Sequence, residues 1–237
     1  MVNDGSIPQR MVTSEEAAEL QNAFVTRVYG WMAAGLMVTA ILALATVQSP
    51  QLLEMIFSNR LVFFGLIIAQ LGLVVWLSAR IEKMSALAAT FIFVGYAALT
   101  GLTLTVVFLA YTLSSLASTF FVTAGTFGVM SAYGYLTKRN LTSLGSFMTM
   151  GLIGLVIASV VNIFFNSETI YWVTTYIGIF IFVGLTAYDT QKIKALGAVS
   201  LEGDEVAQKG AIMGALRLYL DFINLFLLLL RLLGRRK

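Results

Sequence analysis

The sequence predicts an all-α membrane protein of seven spanning helices, and three observations carry that expectation. Hydrophobic residues make up 59% of the 237 positions and charged residues only 11%, whereas soluble domains carry about 25% charged residues. The mean hydropathy is +0.88. The apolar residues also fall into seven runs long enough to cross a bilayer, separated by short polar or charged punctuation.

The first run covers about Ala23 to Val47 and closes at Ser49-Pro50; the second, Leu61 to Ala79, ends in the charged turn Arg80-Ile81-Glu82-Lys83. The third extends from Ala86 to Tyr111, and a Ser-rich turn near Ser114 and Ser115 leads to the fourth, Leu116 to Leu136. Lys138-Arg139-Asn140 precedes the fifth, Leu144 to Phe165, and Asn166-Ser167-Glu168 opens the sixth, Ile170 to Tyr188. A polar connection from Thr190 to Gly210, with Lys192, Lys194, Glu202, Asp204, Glu205 and Lys209, leads to the seventh, Leu216 to Gly234. Residues 1–22, polar and mixed in charge (Asp4, Arg10, Glu15, Glu16, Glu19), read as a cytoplasmic tail and not a signal peptide, because they lack an apolar core. Residues 23–237 read as one seven-helix domain.

Loop charge sets the expected orientation. Arg27, Arg80, Lys83, Lys138, Arg139, Lys192, Lys194 and Lys209 fall on the side of the N-terminus, and the opposite loops offer only Arg60. Positive loops stay inside, so the N-terminus is expected in the cytoplasm. Seven full crossings would put Arg235-Arg236-Lys237 outside, against the same rule; the reading here is that the tail is an exception. The formal charge of +3 then reflects membrane insertion and not nucleic-acid binding. With no cysteine and no histidine, disulfides, imidazole zinc sites and Ser-His or Cys-His catalysis are excluded. Glycines recur within the spans (Gly30 and Gly35, Gly125 and Gly128, Gly151 and Gly154) and are expected to serve close helix packing.

Polar groups at membrane depth then stand out. On the seventh helix Arg217, Asp221, Asn224, Leu228 and Arg231 follow one another at i, i+4, i+7, i+11 and i+14, a single line on an otherwise apolar cylinder. Asp189 lies 19 residues beyond Ile170, roughly 28 Å along at 1.5 Å per residue, and Asp221 lies a few residues into the next span. The two carboxylates are therefore expected at comparable depth. In a poorly solvated place both cannot ionise cheaply, and a shared proton would make a strong O–H···O⁻ bond clamping the two helices. The competing reading pairs each acid locally, Asp221 with Arg217 at i−4 and Asp189 with water at the interface. Gln70, Asn162 and Asn224 could line a water path or make interhelical hydrogen bonds. Arg80, at the end of the second span, is an interfacial anchor long enough to reach an inward carboxylate.

The run Leu218-Tyr219-Leu220-Asp221-Phe222-Ile223-Asn224-Leu225-Phe226 with Leu229-Leu230-Arg231 resembles the C-terminal signature of the Bax inhibitor-1 family. Further matches are Thr186-Ala187-Tyr188-Asp189-Thr190-Gln191 with Ile193-Lys194, Thr100-Gly101-Leu102-Thr103, and Val161-Asn162-Ile163. The resemblance implies a bacterial-type member in the cytoplasmic (inner) membrane, with six helices in two three-helix layers around a central seventh. It also implies a pH-sensitive calcium leak, with Asp189 and Asp221 as the aspartyl pair and transient calcium contact. Arg80 is the nearest match to the family's latching basic residue, and Gln70 stands where some members have an acid. No tightly bound cofactor is implied, calcium being the permeant ion. The implied partners are the bilayer, calcium, protons and other membrane proteins such as a membrane protease. A non-conducting regulatory role is the alternative. An intramembrane aspartyl protease is a third reading, weakened because Asp221 follows Leu-Tyr-Leu and not Gly-x-Gly, and because Pro8 and Pro50 are the only prolines. The protein is therefore expected not to be an enzyme.

Overall fold

In the computed structural model, residues 13–199 and 204–237 are described; Asp4, Arg10 and Glu202 lie outside them. Every regular element among them is helical: α1 Ser14–Val47, α2 Pro50–Phe57, α3 Arg60–Arg80, α4 Ala86–Ala110, α5 Leu113–Leu136, α6 Thr142–Phe165, α7 Glu168–Val199 and α8 Asp204–Leu233. All except the short α2 are long and apolar enough to cross a membrane, which gives the seven expected spans.

Local chemistry explains where the helices depart from the apolar runs. Helix α1 starts ahead of Ala23 because Thr13 and Glu16 form a capping box, each side chain accepting from the other's backbone N–H. The first span ends at Val47 as expected, and Pro50 also opens α2: it occupies the first turn, where a missing N–H costs nothing, and Ser49 accepts from Leu52 N. Ser114 and Ser115 are likewise not a turn but the first turn of α5, capped by Thr112. The expected polar connection is helical on both sides of residues 200–203, extending α7 to Val199 and starting α8 at Asp204. Lys194 is accommodated there by donating to Tyr135 O at 2.8 Å, with its ammonium over the Tyr135 ring.

Helix α8 is the centre of the bundle. Of its most apolar stretch 61% is buried inside the protein, against 6% for α3 and for α6. It packs on α1, α4, α5 and α7; α3 leans on α4, and α6 on α7. The outer helices turn Phe64, Ile68, Val75, Ile153 and Ile163 outward, as a lipid solvent allows.

On its α1–α4 side α8 inserts Tyr219, whose ring meets Phe93 and Tyr96 edge-on and whose hydroxyl lies 2.6 Å from Thr39 Oγ1. Thr39 donates onward to backbone carbonyls of Gly35 and Ala97, so one hydroxyl pair ties three helices. Tyr219→Phe is expected to lower stability by about 1 kcal/mol, the net worth of one buried hydrogen bond, measured by denaturant titration in detergent.

Close helix contact does involve glycine, at one member of two of the repeated pairs and at positions outside them. Gly30, Gly125, Gly128 and Gly154 face open space, and only Gly35 and Gly151 of those pairs meet a neighbour. The tight approaches that bear on Asp189 are Gly134 of α5 against the backbone of Ala187, and Gly145 of α6 against the Tyr188 ring.

At the far end of α8, residues 234–237 return along the α4–α5 junction. Thr112 N donates to Arg235 O at 3.3 Å, Lys237 N to Ala110 O at 3.0 Å, and Arg235 N to Ser115 Oγ at 3.0 Å. Tyr111 and Arg236 form an isolated antiparallel bridge. Helix α8 therefore runs the length of the bundle, and the C-terminus lies at the end opposite the start of α1.

Candidate functional site: a carboxyl pair between the last two helices

Helices α7 and α8 run antiparallel side by side, and the register between them brings Asp189 opposite Asp221. Three contacts fix the α7 side. Ala187 seats on Gly134, Tyr188 seats on Gly145, and Gln191 clips the α5–α6 loop by donating to Arg139 O and accepting from Leu141 N, both at 2.8 Å. Asp221 is fixed because Tyr219 and Phe222 on either side of it are locked into the core.

Asp189 is 8% exposed and Asp221 4%. Both line one cavity of about 550 Å³ between α6, α7 and α8. Asp221 Oδ2 is buried, and no hydrogen-bond partner for it lies among the described residues. Two adjacent acids with an unmatched oxygen are a place to hold a proton, since a protonated carboxyl donates where a carboxylate can only accept.

Arg217 does not pair with the acid one turn along its own helix. Its Nη1 reaches across to Asp189 Oδ1 at 3.6 Å, so one cation bridges α8 to α7. The guanidinium side chain is 42% exposed, at the open end of the cavity. Lys192, one turn beyond Asp189, lines the same cavity; its position at i+3 was the sequence signal, overlooked because it sat in a stretch read as a loop.

The remaining candidates are dispersed. Asn224 lines the cavity, donating to Leu220 O at 2.8 Å on its own helix. Gln70 joins α3 to α4, donating to Thr103 Oγ1 at 3.1 Å and accepting from Thr100. Asn162 accepts from Ser167 N at the α6–α7 turn, beside Asn166 in the left-handed conformation. Arg80 is exposed at the end of α3 and does not line the cavity. Among the described residues no three acidic, Cys or His side chains converge as a metal site would need. Any calcium here would meet two carboxyls and an amide, a sparse set for an ion that takes six to eight oxygens.

Seven apolar spans, six of them around a central one, with ionisable side chains buried where that helix meets its neighbour, define an integral membrane protein with a polar site inside its bundle. The family model described as "Inhibitor of apoptosis-promoting Bax1" matches residues 21–237. The chain belongs to this family, the Bax inhibitor-1 family. It is 53% identical over 215 residues to the inner membrane protein YbhL of Escherichia coli K12, covering 90% of this chain and 92% of that one. A Borreliella burgdorferi protein is 44% identical over 218 residues (92% and 94%), and RP147 of Rickettsia prowazekii 45% over 216 residues (90% and 90%).

Proposed function

We propose that the chain is a pH-sensitive calcium leak of the bacterial cytoplasmic membrane, gated by a proton shared between Asp189 and Asp221. The N-terminus is cytoplasmic and the C-terminus outside in this reading, and no catalysis or bound cofactor is involved. The observation that carries it is that two buried carboxyl groups, one from α7 and one from α8, line the same cavity.

With one proton the pair is a short charged hydrogen bond that holds α7 to α8. Loss of that proton sets two like charges together in a poorly solvated place and drives the helices apart. A second proton removes the charge that Arg217 holds from across the interface. Calcium passing the site is bound weakly, because Lys192 and Arg217 offset the carboxylates; weak binding is what conduction requires.

Liposomes containing only this protein and loaded with a calcium indicator test the reading. Calcium efflux is expected, with a rate that changes with pH. A tight, silent liposome at every pH from about 5 to 8 would favour a non-conducting regulatory protein instead.

A further inference from the structure

The cavity has a polarity gradient that calcium passage does not use. Lys192 is three residues beyond Asp189 on α7, and Arg217 four residues before Asp221 on α8. Because the helices are antiparallel, both cations fall at the same end of the cavity, about one helical turn outside the carboxyl pair. In the other direction α8 contributes the amide of Asn224, and the remaining lining is apolar: Leu185 and Phe182 on α7, Leu152 and Val156 on α6. From Lys192 to Phe182 is about 15 Å along α7. Val156 is 55% exposed, which carries that apolar wall out onto the lipid-facing surface of α6.

We infer that this cavity is a binding site for an anionic glycerophospholipid, its phosphate held between Lys192 and Arg217 and an acyl chain lying along Leu152, Val156 and Phe182. Charge complementarity selects the headgroup. If the carboxyl pair holds one proton, two cations face one carboxylate and one positive charge is left for a phosphodiester. This balance rests on the shared proton proposed above, but not on conduction. Arg217 presents a planar fork of N–H donors suited to phosphate, and its partial exposure at the cavity mouth leaves donors for a second acceptor beside Asp189. Lys192, half-buried with its ammonium 5.8 Å from the Tyr188 ring centroid, supplies a second positive charge on the opposite wall. A zwitterionic lipid would bring its own ammonium against both cations and lose the advantage.

The test is lipid retention by the purified full-length protein in nonionic detergent, read by native mass spectrometry and by the thermal unfolding midpoint, with no ion gradient present. A failed flux assay therefore leaves it untouched. Dioleoyl-phosphatidylglycerol is expected to be retained and to raise the midpoint at concentrations where dioleoyl-phosphatidylcholine does neither. Lys192→Gln and Arg217→Gln should each weaken retention about tenfold, as loss of a charged hydrogen bond does. Lys192→Arg should restore it, and Lys138→Gln, which removes an exposed charge outside the cavity, should leave it intact. Equal retention of the two lipids, or phosphatidylglycerol retention indifferent to both cavity variants, would overturn the inference. Displacement of the lipid by millimolar inorganic phosphate would also overturn it, by assigning the site to free phosphate.

Discussion

Calcium efflux from liposomes carrying Asp221→Asn is expected to vary less than about twofold between pH 5 and 8, where the parent protein's rate varies several-fold. Asparagine keeps the size of the side chain and can still donate to Asp189, so α7 and α8 stay together. What disappears is the second ionisable oxygen pair, and with it the change from attraction to repulsion across the interface. Asp189→Asn should flatten the profile equally, because a proton shared by two groups is lost as a property of the pair when either one is removed. It should differ in one respect: Arg217 then loses the carboxylate it reaches at 3.6 Å. A variant in which both acids are Asn should resemble each single variant and not their sum. If either single variant keeps the parental pH profile, the pair is not the sensor.

Gly134→Ala is expected to be among the most damaging single-methyl additions in the bundle. A Cβ there would lie 2.8 Å from the carbonyl carbon of Ala187 and 2.9 Å from its Cα, with the carbonyl oxygen closer still. Backbone cannot rotate aside as a side chain can, so α5 must back away from α7, and Asp189 is two residues from the contact. The expected loss is about 3 kcal/mol, the upper part of the range for overpacked interiors, measured by denaturant titration in detergent micelles. The pH profile of efflux should flatten as well, since Asp189 would no longer be held opposite Asp221. Gly128→Ala on the same helix is the control. Its site is open, and alanine is the better helix former by up to about 1 kcal/mol, so that variant should be neutral or slightly more stable.

The number and order of the spans were legible in the sequence because bilayer partition and hydropathy measure the same quantity. Helix ends were less so, for the complementary reason. Thr13 with Glu16, Ser49 with Pro50, and Thr112 begin helices through capping chemistry to which hydropathy is blind. The stretch from Thr190 to Val199 is polar enough to resemble a loop, yet it stays helical, with Gln191 and Lys194 each gripping a neighbouring backbone carbonyl. That misreading hid Lys192. Asp189 and Asp221 could be placed at one depth by counting 1.5 Å per residue, but counting fixes depth and not azimuth. Gln70, Asn162 and Arg80 have suitable chemistry too, and they face α4, the α6–α7 turn and the exterior. Arg217 shows the same limit at close range. Spacing on one helix pointed to Asp221, and the rotation of α8 against α7 gave it to Asp189.

The return of residues 234–237 onto the Tyr111 turn constrains how the bundle can move. The central rod is fastened at its far end to the α4–α5 junction by backbone hydrogen bonds from Thr112 and Lys237 and by Arg235 on Ser115. A piston stroke of α8 along its own axis would have to break those fastenings together while dragging Tyr219 out of its slot beside Thr39. Tilting of a peripheral helix breaks neither. Displacement in this protein is therefore cheapest at α3 and α6, which bury least and lean on one neighbouring span each, while the axial helix acts as the fixed mast against which they swing.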